Sequence, residues 1–430
     1  MSNLTAQKKA MALRDSFEFE PTSLVTYQST GRLLVIGNDD ALEHGGEFTS
    51  NLKFESISST GNSIRIEGYL GAYVVEVTDQ HDNLTTHKGD SILDLHDAAL
   101  LTREMLPPGY FHVPPKDRET TAVMEELEGL QGEFQKPKYF DYDPSICAHG
   151  VNGKIVCRQC IDACPAEAIQ SIGERIEVNP YLCQGGGSCT TVCPSGAIRY
   201  LYPNLRDNGK RVRDTLSEYL QLGGKNPILL FHSDNYAVDA YLRAYDNVLP
   251  LAVEELASVG MDLCLAAIAY GAMQVVLHVD DQVPRSSGSH LELQVNWVQA
   301  LLIGLGLDRS CVSLCAQDAA LPEIDAPPDI EVSLLDMSLA KRNAIYQALD
   351  HLVANLKPGA DQVDLPEPAP FGEIVVEGTK CTLCMACVGA CPGRALQDGS
   401  NREIPELFFI ESNCCNVEPV CKPVPKMRLR

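Results

Sequence analysis

Three short runs in this chain begin with a cysteine and a proline. They are Cys164-Pro165-Ala166-Glu167-Ala168-Ile169, Cys193-Pro194-Ser195-Gly196-Ala197-Ile198 and Cys391-Pro392-Gly393-Arg394-Ala395-Leu396. Each leading cysteine has another four positions before it: Cys160, Cys189 and Cys387. Soft thiolates repeated at this spacing suit iron bridged by sulfide. The proline diverts the chain, so its cysteine can point away from its neighbours. The chemistry implied is one-electron transfer. Structural zinc wants two well-spaced pairs in a closed tetrahedron. It does not account for three Cys-Pro turns that each continue into Ala-Ile or Ala-Leu.

The spacing assigns ligand sets. A two-cluster ferredoxin carries Cys-x2-Cys-x2-Cys-x3-Cys-Pro twice, and the fourth cysteine of each run crosses to the other cluster. In the first run here, Cys157, Cys160 and Cys164 hold the last three positions and Lys154 stands at the first. Cys147, upstream across a loop with Gly150 and Gly153, is the natural substitute; His149 is a second candidate. Cys147, Cys157, Cys160 and the crossing Cys193 are therefore expected to hold one 4Fe–4S cluster. The second run has Cys183 and Cys189, but its middle position is Gly186. With the crossing Cys164, the second cluster has three thiolates. It is either 3Fe–4S or 4Fe–4S with one open iron. The Gln184-Gly185-Gly186-Gly187-Ser188 loop lets backbone N–H groups approach the sulfides and tune the potential.

A second unit begins with Cys381, Cys384, Cys387 and Cys391, which fit the full pattern. A partner run starts at Cys414 and then loses the pattern in a basic tail ending at Arg430. The genetic code permits an explanation. Reading the third base of each codon with the first two of the next turns the stretch from Cys415 into Gln-Cys-Gly-Ala-Cys-Val-Gln-Thr-Cys-Pro-Glu-Asp-Ala-Ile-Thr. With Cys414 before it and one base restored, the full cysteine run returns. The expectation is that residues after Cys414 are out of frame. As written, the third cluster keeps Cys381, Cys384 and Cys387, with Cys414, Cys415 or Cys421 as the stand-in for its crossing ligand. Cys391 loses its cluster.

Around these units the chain reads as α/β: Rossmann-like parallel-sheet domains combined with two ferredoxin-like iron–sulfur units. The boundaries fall at 1–138 (α/β), 139–203 (first unit), 204–356 (Rossmann-like or flavodoxin-like), 357–372 (linker rich in Pro, Asp and Glu) and 373–430 (second unit, broken after 414). Leu33–Gly37 is a buried-strand pattern, and Ser63–Glu67 and Tyr73–Val77 alternate as paired strands. Ala122–Phe134 reads as a helix. In the middle segment, strands at Ile228–His232, Val248–Val253, Gln274–His278 and Cys311–Ala316 alternate with helices at Tyr236–Tyr245, Met261–Tyr270 and Leu291–Leu307. That rhythm implies a parallel sheet covered on both faces.

No Gly-x-Gly-x-x-Gly follows a strand and no P-loop is present, so no nucleotide fingerprint appears. Cys264, Cys311 and Cys315 read as small buried hydrophobes. Glu254-Glu255 and Asp280-Asp281 read as solvated loop charges, and Trp297 as core. The net charge of −24 argues against nucleic acid or an anionic membrane as partner. No stretch approaches about 20 uninterrupted apolar residues, so no membrane span is expected. The polar start has no signal-peptide core, which makes the cytoplasm the expected compartment.

Two resemblances extend the reading. Leu249–Glu255, Met261–Tyr270 and Gly271–Leu277 resemble the small iron–sulfur subunit family of methyl-viologen-reducing hydrogenases. That implies an α/β docking domain on an electron route, although the family's cluster cysteines are not found in this segment. The whole order resembles proteobacterial 4Fe–4S ferredoxin-type proteins often encoded beside formate dehydrogenase. The landmarks are Leu106-Pro107-Pro108-Gly109-Tyr110, Pro137–Asp143, Cys147-Ala148-His149-Gly150 and Ile198–Pro203. It implies a polyferredoxin whose partner is a redox protein such as a dehydrogenase. Two other classes fit the same residues: an iron–sulfur enzyme acting at the open iron, or an accessory, maturation or sensor protein that binds a dehydrogenase. No nucleophile–base pair can be named.

Overall fold

The computed structural model describes residues 2–45, 52–114, 121–234, 236–316, 319–324, 329–338, 340–358, 361–400, 405–417 and 426–428. It combines helices with two parallel sheets of four strands each. The expected strand at Leu33–Gly37 forms as Arg32–Gly37, with Lys53–Ser58 on one side and Ser91–Asp94, then Tyr110–His112, on the other. Its side chains alternate between two cores. Leu34 and Ile36 face an antiparallel sheet through Tyr73 and Val75. Leu33 and Val35 face the opposite layer with Leu93 and Leu127. That antiparallel sheet contains the expected pair, Ser63–Glu67 against Tyr73–Thr78, plus Leu84–Gly89.

The expected helix Ala122–Phe134 is corrected. The helix is Thr121–Gly129, and Gly132–Pro137 is a strand antiparallel to Leu24–Ser29. Gly132 takes φ +125°, which ends helical continuation.

The second parallel sheet has the order Val248–Val253, Ile228–Ser233, Gln274–Val279, Val312–Ala316. Its strands are nearly continuous apolar runs because helices cover both faces. The helix Met261–Ala269 is buried on every side, as its apolar and small residues allow. The expected helix at Leu291–Leu307 starts earlier and runs Arg285–Gly304, while Tyr236–Tyr245 shortens to Asp239–Ala244. Trp297 is core, and Cys264, Cys311 and Cys315 are buried. The helix Asn3–Asp15 joins this core too. Ala6 and Ala10 are fully buried in it, and Gln7 Nε2 donates to the Val248 carbonyl at 2.8 Å.

The segment 357–372 is not a free tether. Leu365, Ala369 and Phe371 are buried in the same core, and Gln362–Asp364 pairs with Lys426–Arg428. Prolines and acids dominate its composition, but a few apolar residues anchor it.

In the chain between the two sheets, residues 140–200 form three antiparallel strand pairs, the shortest a two-residue hairpin at Gly150–Ile155. Phe140–Tyr142 pairs with Ile198–Tyr200, and Ile169–Ile172 with Arg175–Val178. The strand before the first cysteine thus meets the strand after the last Cys-Pro turn. No helix among the described residues is long and apolar enough to cross a membrane.

Candidate metal centre

The three Cys-Pro turns fold alike. The third residue after each cysteine takes a left-handed conformation: Glu167 at φ 49°, Gly196 at 73° and Arg394 at 52°. In the first and third turns the next N–H points back at sulfur. Ala168 N lies 3.3 Å from Cys164 Sγ, and Ala395 N lies 3.3 Å from Cys391 Sγ. Such N–H···S contacts favour the thiolate.

In the first unit the cysteines surround two adjoining cavities. One is lined by Cys147, Cys157, Cys160 and Cys193. The other is lined by Cys164, Cys183 and Cys189 together with Gly186. Cys164 and Cys193 thus cross between the two runs. Burial pushes every one of the thiols Cys157, Cys160, Cys164, Cys183 and Cys189 upward, Cys157 to about 11. Nearby thiols add to the shift at Cys160 and Cys189. Such a set releases its protons only to a cationic core. Among the described residues no three His, Cys, Asp or Glu converge closely enough to hold a single ion. Four thiols on one cavity and three on the other are the soft donors that an iron–sulfide core takes.

His149 is occupied elsewhere. Its Nδ1 lies 2.6 Å from the Cys157 carbonyl and its Nε2 lies 2.7 Å from Ser171 Oγ. It braces the loop that carries Cys157 against Ser171. Lys154 sits on a two-strand hairpin, Gly150–Val151 against Lys154–Ile155, that brings Cys147 back toward Cys157.

The Gly-rich loop is glycine partly for close packing. At Gly187, φ +75°, a Cβ would meet Ser258 N at 2.5 Å. At Gly185, φ +83°, it would meet the Tyr139 ring at 2.9 Å. The Gly185 backbone partly offsets the burial that raises the Cys183 thiol.

Several residues beside the cavities carried no motif. Lys136 Nζ donates to the carbonyls of Cys183 at 2.6 Å and Tyr181 at 3.1 Å. Burial lowers it to about 8. Met105 comes from the N-terminal sheet domain to line the second cavity. Their only sequence signal was proximity to the Leu106–Tyr110 and Pro137–Asp143 landmarks.

The middle domain holds the second-cavity helix, Ser188–Val192. Ser188 Oγ bonds Ser287 Oγ at 2.8 Å, and Gln294 Nε2 donates to the Thr191 carbonyl at 3.2 Å. Lys341 Nζ, half-buried, donates to the carbonyls of Thr190 at 2.8 Å, Thr191 at 2.5 Å and Cys193 at 3.2 Å. A cation suits these carbonyls at a helix C-terminus. Glu255 is not the solvated loop charge expected. Burial first, then Glu254 and Asp280, raise it to about 7.

The second unit is more open. Cys381 and Cys384 are exposed, and Cys387 and Cys391 are half-buried, while Cys414 and Cys415 are buried. Cys414 lies within electrostatic reach of Cys391, and Cys415 within reach of Cys193 and Cys157 in the first unit. Arg342 ties the two units. It donates to the carbonyls of Pro194 at 3.0 Å, Pro370 at 2.9 Å and Ser412. Cys421 lies outside the described residues.

A sequence model of the 4Fe-4S binding domain family matches residues 176–199. The match spans Cys183, Cys189 and Cys193, and it supports a ferredoxin-type iron–sulfur protein with an electron-transfer role. No curated protein matches the chain.

Proposed function

We propose that this chain is a polyferredoxin that passes electrons between a cytoplasmic oxidoreductase, such as a formate dehydrogenase, and an acceptor. The observation that carries the reading is the pair of adjoining cavities, one lined by four cysteines and one by three. Cys147, Cys157, Cys160 and Cys193 would hold a 4Fe–4S cluster, and Cys164, Cys183 and Cys189 a second cluster. Cys381, Cys384 and Cys387 would hold a third; Cys391 and Cys414 would serve a fourth only in the restored frame, and as written Cys391 has no cluster. Bound clusters supply one-electron redox chemistry. The protein's own work is to exclude water, aim N–H groups at sulfur and fix distances. Burial of Cys160 and Cys193 does the first. Arg342 and Lys341 do the last, by locking both units to one helix start. Arg342, which donates to Pro194 of the first unit and Ser412 of the second, holds the units together and supports an electron step between them.

The open edge of the second unit supports the out-of-frame reading. Val375 is 76% exposed and Val376 50%. They stand six and five positions before Cys381, where Asp141 and Tyr142 stand before Cys147. Tyr142 and Asp141 pair with the strand that follows the last Cys-Pro turn. Among the described residues, no strand pairs with Val375 and Val376. The restored frame supplies such a turn followed by Ala-Ile-Thr.

Anaerobic purification with iron and sulfide analysis and electron paramagnetic resonance tests the reading. Colourless protein without labile sulfide after reconstitution would end it. Reduction of the clusters by a dehydrogenase supports the carrier; tight binding without reduction favours an accessory. Resequencing the DNA past Cys414 tests the frame.

A further inference from the structure

The three-cysteine cavity has a fourth sulfur. Gly186 occupies the position where the repeated pattern would place the missing cysteine. A Cβ built on Gly186 would lie 3.1 Å from Met105 Sδ. The thioether therefore reaches the place from which the absent ligand would extend. Met105 lines the same cavity as Cys164, Cys183 and Cys189.

Its position is held from every side. Met105 N donates to the Pro165 carbonyl at 3.0 Å, directly on the Cys-Pro turn. Arg103 pairs with Glu167 at 3.1 Å. Glu104 accepts from Ser286 Oγ at 2.8 Å, across on the middle domain. Gln184, from the glycine loop itself, donates to the Leu106 carbonyl at 2.6 Å. Four consecutive residues, 103–106, are thus fastened to elements around one cavity.

We propose that Met105 is the fourth protein donor of the second cavity, closing with a thioether the iron position that Gly186 leaves without a thiolate. This rests on the reading of Cys164, Cys183 and Cys189 as cluster ligands. Thioether sulfur is a soft donor suited to such a core. It is also neutral. A site with three thiolates and one thioether carries one negative charge fewer than its four-thiolate neighbour. Its reduction potential is therefore higher, since an electron enters a less anionic core. The second cavity would be the electron sink of the pair. The N-terminal sheet domain, which has no cluster cysteines of its own, would thereby gain a role in setting potential.

The test uses the full chain, purified anaerobically, with Met105→Leu and Met105→Cys. Leucine keeps the apolar bulk and removes the donor. The wild type is expected to hold four irons in the second cavity. Met105→Leu should lose one of them to a chelator and show a 3Fe signal, with the first cluster's signal unchanged as proof of folding. Met105→Cys should keep four irons at a lowered midpoint potential. A Met105→Leu protein with wild-type iron content and spectrum would overturn the proposal, as would a wild type that is already 3Fe. If Met105→Leu does not fold, Met105→Cys decides: an unchanged potential overturns it. A wild type with only the first cluster's signal would instead remove the ligand reading on which the proposal rests.

Discussion

The two cysteine-rich segments, 139–203 and 373–417, share a turn but not an interior. Around Cys164 and Cys391 the backbone is nearly superimposable in kind: the same left-handed third residue and the same 3.3 Å N–H···S contact. Yet the first unit wraps its sulfurs around two cavities, while the second leaves Cys381 and Cys384 exposed. Local sequence is enough to make a Cys-Pro turn. A cavity needs more, namely a closing strand and a neighbouring domain. The first unit has both: Ile198–Tyr200 against Phe140–Tyr142, and the middle domain beneath Ser188–Val192.

The sharpest way to break the comparison is to remove one sulfur from each unit. Cys160→Ser should cost the first unit a full cluster, read as lost iron, sulfide and visible absorbance. Cys384→Ser should change those readings far less, because its site is open in this chain. Equal losses would show that exposure does not govern loading.

Next in size is Arg342→Ala. It would leave the carbonyls of Pro194, Pro370 and Ser412 short of a donor in a buried place. The expected cost is about 3 kcal/mol. Hydrogen exchange should rise first around residues 405–417, and a uniform loss of protection across the chain would contradict the stapling role.

Equivalent positions before the two helices give an opposed pair. Gly187 and Met385 each stand six residues before a Cys-Pro cysteine, at φ +75° and +59°. Gly187→Ala adds a Cβ against Ser258 N and should destabilise by about 2 kcal/mol. Met385→Gly relieves a left-handed side-chain residue and should stabilise by about 1 kcal/mol. Chemical denaturation of both variants reads the signs.

The smallest effect is pH-dependent and belongs to the first unit's docking floor. Tyr139 reaches Glu254 at 3.4 Å, and Glu255 beside it is raised to about 7. A carboxyl raised on folding binds more protons in the native state than when unfolded. Its stabilisation is complete below the unfolded value near 4.5 and is lost as pH rises through about 7. Glu255→Gln should therefore unfold at higher denaturant than wild type at pH 8, and with little difference at pH 4. A constant difference at both would show that Glu255 is not protonated on folding.

Much of the strand order was legible because buried parallel strands must be apolar throughout, as Ile228–Ser233 and Gln274–Val279 are. Gly132–Pro137 was not, because its helix-like pattern runs on past the glycines that end the helix. Glu255 was misjudged because burial is a property of neighbours, not of a dipeptide. The acidic segment 357–372 looked solvated because composition averages over Leu365 and Phe371, which are buried.

By itself the sequence determined the chemistry of this protein: the Cys-Pro turns, the sulfurs and the glycine that withholds one. Those follow from spacing along the chain, since a turn is built from adjacent residues. Tertiary structure alone decided what surrounds the sulfurs. It brings Met105 and Lys136 to the second cavity, engages both nitrogens of His149, and ties Pro194 to Ser412 through Arg342. The physical reason is that these contacts join residues tens to hundreds of positions apart, and only packing of whole domains selects them.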